Sequence, residues 1–298
     1  MNKLSRCLAG LSIGMTFVCI TAAQESSQAS IPRVLQITRE FTKPGKAGQA
    51  HEKMEAAFVQ AMAKSKWPTH YLALTSLSGK QRALFMTRYA SFEDWEKDAA
   101  ATEKNAVLST ALDRAAEADG ELLDSMDQGV FVFEEEMSLR PRADLSHMRF
   151  MEISVYHVRP GYYREWEEAV KRVKAAYEKA VPDAHWGIYR EMYGGDGGTY
   201  LVLSAHETLA QIDRGLLEDD KKFMSAMGDD GMRRLAELER AAIESSSHQL
   251  FAFSPSMSYI YDDWMKSDPD YWKSKAATTT ASAPEEKKGK VIAAKKQQ

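Results

Sequence analysis

Between residues 33 and 41 the chain alternates. Leu35 and Ile37 fall on one side, and Gln36, Thr38 and Glu40 on the other, which is the period-two pattern of a strand. The pattern returns over 148–158, where Met151, Ile153 and Val155 oppose Glu152, Ser154 and Tyr156. Each stretch runs into a Pro-Gly pair, Pro44-Gly45 and Pro160-Gly161, which stops a strand and turns the chain. The period then lengthens to that of a helix. Met54, Ala57, Phe58, Ala61 and Met62 share one face, and Trp166, Val170, Val173 and Tyr177 share another. Pro68 and Pro182 close these helices.

A hairpin follows in each case. One runs from 70–77 through Ser78-Gly79 into 82–89; the other runs from 185–193 through the glycine-rich turn 194–198 into 199–205. Long helical regions come next. Ser91 is a fitting N-cap with Asp94 three residues on, and Gly228 and Gly231 interrupt the second region. Closing strands are expected over 130–137 and 250–258.

The order strand, helix, strand, strand, helix, strand is thus written twice. Three landmarks recur at nearly constant offset. Phe131-Val-Phe133 with Met137-Ser138 returns as Phe251-Ala-Phe253 with Met257-Ser258. Lys43-Pro44-Gly45 returns as Arg159-Pro160-Gly161, and His70-Tyr71 as His185-Trp186. The fold class predicted is α+β: tandem ferredoxin-like split βαβ repeats packed together as a pseudo-dimeric α/β barrel. The apolar strand faces are expected to meet the helices, and the polar faces to look into the barrel.

The Pro-Gly turn after the first strand and the entry Ala90-Ser91-Phe92-Glu93-Asp94-Trp95 to the second helix resemble the dimeric α/β barrel superfamily, in the style of its antibiotic-biosynthesis-monooxygenase-like and NIPSNAP-like members. The resemblance spans 33–138 and 148–258. It implies a barrel fold and allows a cofactor-independent oxygenase or a haem-dependent enzyme. None of the superfamily's catalytic sets maps onto these residues.

Composition frames the ends. Lys3 and Arg6 precede an apolar run over 8–20, too short to span a bilayer, and Thr21-Ala22-Ala23 supplies the small residues of a cleavage site. This predicts a signal peptide over 1–23 and a periplasmic or secreted product, with an uncleaved anchor as the rival reading. Both cysteines, Cys7 and Cys19, fall within that leader, so the body has no thiol chemistry. The organisation continues with a linker over 24–32, a first repeat over 33–138, a connector over 139–147 and a second repeat over 148–258. An aromatic strap over 259–274 holds Tyr259, Tyr261, Trp264, Tyr271 and Trp272, and a basic, core-poor tail over 275–298 is expected to be disordered. The chain's net charge is −4 although leader and tail are both basic, so the body is more acidic than the whole, which argues against nucleic acid as a partner.

The chemistry-bearing residues are few. His70 and His185 hold the same place in both repeats and are candidates for a ligand site, with Tyr189 on the strand face of His185 and with Glu152 and Tyr156 on the polar face of the strand before it. A turn-capping role accounts for the two histidines equally well. His51, His157 and His206 have no counterparts, and no H-x-x-x-H or His-x-Glu spacing marks a metal site. The glycine-rich turn 194–198 lacks the Lys-Ser/Thr of a phosphate loop and reads as a hairpin. Three functions fit: binding of a small, partly apolar ligand in a barrel cavity, the enzymes named above, or an interaction protein with a filled barrel. Mature protein from the native envelope is expected to begin at Gln24; intact-mass measurement checks this, and a retained leader would contradict it.

Overall fold

The computed structural model describes residues 30–273. The leader, most of the linker and the basic tail expected above lie outside these residues. The chain runs β1 (Val34–Thr42), α1 (Gln49–Lys64), β2 (Tyr71–Ser76), β3 (Arg82–Tyr89), α2 (Phe92–Lys104), α3 (Ala106–Gly120) and β4 (Leu123–Phe133). It continues with β5 (Phe150–Val158), α4 (Tyr163–Ala180), β6 (Gly187–Tyr193), β7 (Thr199–His206), α5 (Leu209–Arg214), a π-helical turn (Gly215–Asp219), α6 (Asp220–Ala242) and β8 (Ile243–Phe253). Two short helices, α7 (Asp262–Ser267) and α8 (Pro269–Trp272), complete it.

The strands close into one antiparallel barrel in the order β1-β3-β2-β8-β5-β7-β6-β4. Within the first half the spatial order is β4-β1-β3-β2; within the second it is β8-β5-β7-β6. Two seams join the halves. The seam between β2 and β8 is three residue pairs long, Leu74–Phe253 to Ser76–Phe251, and that between β4 and β6 is four. A register shift interrupts β1 against β4 between Phe41 and Thr42, and another interrupts β5 against β8 between His157 and Val158.

The interior is apolar. Leu35 and Ile37 of β1, Leu74 of β2, Leu84 of β3, Ile153 of β5 and Phe251 of β8 all join one buried cluster drawn from both halves. This corrects the expected orientation of the faces. The apolar side of each first strand points inward, and the polar side lies outside, beneath the helices. Closure is the reason. The interior of an eight-stranded barrel is narrow and here is taken up mostly by packed side chains, so it selects the apolar face. Trp264 and Trp272 from the two terminal helices join the same cluster. Trp272 donates its indole N–H to the Ser146 carbonyl at 2.8 Å, and the Arg149 guanidinium lies 3.7 Å above the Tyr271 ring while pairing with Asp268. The aromatic segment thus seals one end of the barrel against the 139–147 connector.

Local signals behave as their chemistry dictates. The Ser91 hydroxyl accepts from the Asp94 N–H at 3.1 Å and starts α2. Asn105 leaves helical geometry and caps α3 through the Leu108 N–H at 3.1 Å. Gly228 sits at φ 65° and kinks α6 without ending it. In the 194–198 turn, Gly194 has φ +105° and a Cβ there would lie 2.1 Å from the Gln128 carbonyl oxygen, so glycine is required for the hairpin to cross β4. The closing strands differ from expectation: they begin at Leu123 and Ile243, seven residues early, and end at Phe133 and Phe253. Residues 124–128 and 244–248 are exposed, so backbone pairing alone places them in the sheet and no hydrophobic alternation announces them.

Because each half leaves an apolar interior face and two seam edges open without the other, cutting the chain near Ser146 has a definite expected result. Either half expressed alone should aggregate or self-associate, by sedimentation analysis. Two well-folded monomeric halves would contradict the shared interior.

Candidate functional site

The barrel interior keeps a small cavity of about 80 Å³ at one end, lined by Leu72, Met86, Arg88 and Tyr189, and larger open space lies between the outer face of the sheet and the helices. In the second half, α4 and α6 cover a cavity of about 560 Å³. The amphipathic face of α4 supplies Trp166, Val170 and Tyr177, and the sheet supplies Tyr156 of β5 and Ile188 of β6. Tyr156 packs against Trp166 with ring centroids 5.0 Å apart, Tyr177 meets Trp186 edge-on at 5.5 Å, and Tyr177 stacks on Phe223 at 4.8 Å. The Trp166 indole N–H is buried with no hydrogen-bond partner among the described residues, an unmet donor in the wall of the cavity. The π-helical turn contributes Gly215 and Asp219 to the rim, beside Arg214.

Polar groups gather at one end of this space. His206 Nε2 lies 2.7 Å from Glu152 Oε2, the two belonging to adjacent strands β7 and β5. The Ser204 hydroxyl donates to the His185 carbonyl at 3.3 Å, and the rings of His185 and His206 are 6.2 Å apart. Burial raises the Glu239 carboxyl above its usual range. Burial, and then the Glu239 charge, raise the Tyr156 phenol. Tyr177 is pushed up to about 12, by burial first and then by Asp220, so the phenols here remain protonated donors at neutral pH.

The residues singled out from sequence divide. Glu152, Tyr156 and His185 line the second-half cavity. Tyr189 lies on the other side of the sheet, in the barrel interior, with its hydroxyl donating to the Pro32 carbonyl at 3.2 Å. His185 sits at the sheet's end between the two spaces. Its Nδ1 is 3.0 Å from the Asp183 carbonyl and its Nε2 2.8 Å from that of Ala205. His70 is remote. Its Nδ1 is 2.7 Å from the Pro68 carbonyl, and its ring stacks on Tyr259 and Tyr261 at 4.5 and 4.2 Å. In both halves Nδ1 reaches the carbonyl two residues upstream, the geometry of a ring that ties down its own turn. Sequence reasoning missed His206, which has no counterpart in the first half; its only advance signal is that it falls at the end of a strand bordering Glu152's.

The first half has its own helix-covered cavity, of about 510 Å³. Glu40 from β1, Glu55 from α1 and Asp119 from the end of α3 line it, together with Phe58, Met62 and Tyr71. His51, one turn before Glu55, turns its Nε2 toward all three acids: 3.0 Å from Glu40, 3.4 Å from Asp119 and 3.9 Å from Glu55. Desolvation, then the charges of Glu40 and Asp119, push Glu55 up to about 9. Asp119 is pushed up to about 6, by burial and the Glu40 charge against the opposing pull of His51. The signal for this group was present but faint: His51, Glu55, Phe58 and Met62 recur at helical spacing, so the histidine and the acid share the inward face with the apolar residues.

No family model matches the chain, and no curated protein matches it. Solved structures show distant likenesses. A presumed monooxygenase from Fusobacterium nucleatum aligns with TM-score 0.49 and 9% identity, over 74% of this chain and 91% of its own. An anthrone oxidase-like protein aligns at 0.46 and 12%, over 76% and 93%. The chlorite dismutase of Candidatus Nitrospira defluvii, solved with imidazole, aligns at 0.45 and 10%, over 81% and 97%. At these values no activity or ligand transfers to this chain. Among the described residues no helix is long and apolar enough to cross a membrane.

Since His70 and His185 are each engaged locally, His70→Ala and His185→Ala are each expected to lower unfolding stability by about 1 kcal/mol in denaturant titrations. A loss below a few tenths in either would contradict the turn-tying role.

Proposed function

We propose that this chain is an exported barrel protein that binds one small, partly apolar aromatic molecule in the second-half cavity. One observation carries the reading. A space of about 560 Å³, walled by Tyr156, Trp166, Tyr177 and Trp186, ends in the Glu152–His206 pair and holds an unpartnered indole donor. Small-molecule sites have this make-up: a mostly apolar lining of a few hundred Å³ with few, placed polar groups. The π-helical turn at the rim supports it, since such turns occur chiefly where function has shaped a helix. Export rests on the leader read from sequence.

The Glu152–His206 pair favours a second reading, acid–base chemistry on the bound molecule. A carboxylate that accepts the Nε2 proton fixes the ring's tautomer and leaves Nδ1 as the basic atom. A haem does not fit these residues. His206 turns Nε2 to Glu152 and His185 turns Nε2 to the Ala205 carbonyl, so neither offers the nitrogen an axial histidine ordinarily uses.

We infer further that the two halves are copies of one ferredoxin-like module, as in the dimeric α/β barrels that the sequence resembles. The repeated strand order, the bulge at the same step of β1 and β5, and the shared histidine-to-carbonyl contact support this.

Native mass spectrometry of protein from its own host is the test. The wild type should carry an aromatic small molecule, and Val170→Trp, which fills the cavity, should lose it with little change in melting temperature. His206→Ala that still binds but no longer converts the molecule would select the second reading. Equal retention by Val170→Trp would place the ligand elsewhere.

A further inference from the structure

The four side chains beneath α1 and α3 pose a problem that the protein's own atoms do not solve. Glu40, His51, Glu55 and Asp119 are 7, 3, 3 and 2% exposed. One ligand atom from each lies within 4.8 Å of all the others. Three carboxylates therefore share a water-poor site with a single imidazole. Taking even one unpaired carboxylate out of water is strongly unfavourable, and adjacent like charges add to that penalty. The imidazole cannot relieve all three, because Nε2 carries at most one proton. The result is visible: Glu55 Oε1 and Asp119 Oδ1 are buried and have no hydrogen-bond partner among the described residues. Both atoms face His51 Nε2, at 3.9 and 3.4 Å.

We propose that Glu40, His51, Glu55 and Asp119 hold one first-row divalent cation of the Mn²⁺, Fe²⁺ or Zn²⁺ kind, with the ion's remaining face open to the first-half cavity. The spacing suits a coordination shell. Bonds of about 2.1 Å separate tetrahedral ligands by about 3.4 Å and neighbouring octahedral ligands by about 3.0 Å. The distances from His51 Nε2, 3.0 to 3.9 Å, span that range. Donor type narrows the metal. One imidazole with three carboxylates suits borderline and hard divalent ions. Copper(I) would want the sulfur ligands that this set lacks, and calcium would want six or more oxygens.

The site has the construction of a reactive centre more than of a structural one. Its three acids line a cavity of about 510 Å³ whose other walls include Phe58, Met62 and Phe85. A closed structural site presents no such face, whereas a catalytic ion keeps a position free for water or substrate. A small apolar molecule bearing one oxygen donor is the chemistry this cavity would admit.

The second half supplies an internal control. Tyr156 stands at the step of β5 where β1 has Glu40, each two residues before the bulge that ends in Thr42 or Val158. The facing helix carries Trp166 and Val170 rather than a histidine and an acid. One ion per chain follows, not two.

The experiment uses full-length mature protein, freed of metal by chelator and titrated with Mn²⁺, Zn²⁺ or anaerobic Fe²⁺ by calorimetry, with elemental analysis of the product. One equivalent should bind and raise the melting temperature. Glu55→Gln and Asp119→Asn keep side-chain volume and replace a carboxylate ligand with an amide; each should weaken binding by about tenfold or more while the metal-free protein melts no lower than wild type. Glu239→Gln, in the other half, should leave stoichiometry and affinity unchanged. If Glu55→Gln fails to fold, Glu40→Gln serves in its place. A wild type whose melting temperature ignores all three ions, or binding that survives both Glu55→Gln and Asp119→Asn, would overturn the assignment and leave a cluster that shares protons.

Discussion

Closure of the sheet on itself is the constraint from which the other features follow. Eight strands meeting edge to edge enclose a space narrow enough to be filled by side chains, and both halves must fill it together. Leu74 pairs with Phe253 across one seam, so neither half has a complete core of its own. With about 80 Å³ left free inside, most of the available volume lies outward, under the helices. There each half has its own layer, α1 and α3 over the first, α4 and α6 over the second, and its own cavity. The aromatic segment after β8 completes the enclosure by placing Trp264 and Trp272 against the end of the common core.

The two cavities differ in what they ask of their surroundings. In the second, aromatic rings form the walls and the charged groups stand at the end and rim, where water still reaches them. In the first, acids from a strand and two helices converge below the surface on the single imidazole of His51. The first arrangement is costly to fold unless something neutralises it. The second is close to what any apolar pocket with a polar end requires.

Much of the frame was legible in the sequence because it rests on local chemistry. Strand alternation, the Pro-Gly stops, the Ser91 cap and the helix face of α4 each depend on residues a few positions apart; the face of α1 was read only in part, since Ala57 is exposed while His51 and Glu55 are buried. What alternation cannot reveal is which side is inside. Leu35 and Gln36 define two faces equally well, and only closure of the barrel decides between them. The early starts of β4 and β8 were invisible because exposed side chains carry no pattern when backbone pairing alone holds a strand. Partnerships across the fold were hidden for a plainer reason: Glu40 and Asp119, or Glu152 and His206, lie 79 and 54 residues apart. Of the residues picked from sequence, Glu152, Tyr156 and His185 share a cavity, whereas Tyr189 occupies the core and His70 a tyrosine stack.

The covalent link through residues 139–147 has a consequence for how such a protein can change. A ring of strands assembled from two identical chains is bound by its twofold axis: each substitution is made twice, and both pockets alter in step. Here Glu40 stands two residues before the strand bulge in one half and Tyr156 two residues before it in the other, and each can change alone. A common core fixes the frame, while the two outer layers are free to specialise on unlike chemistry within a single molecule.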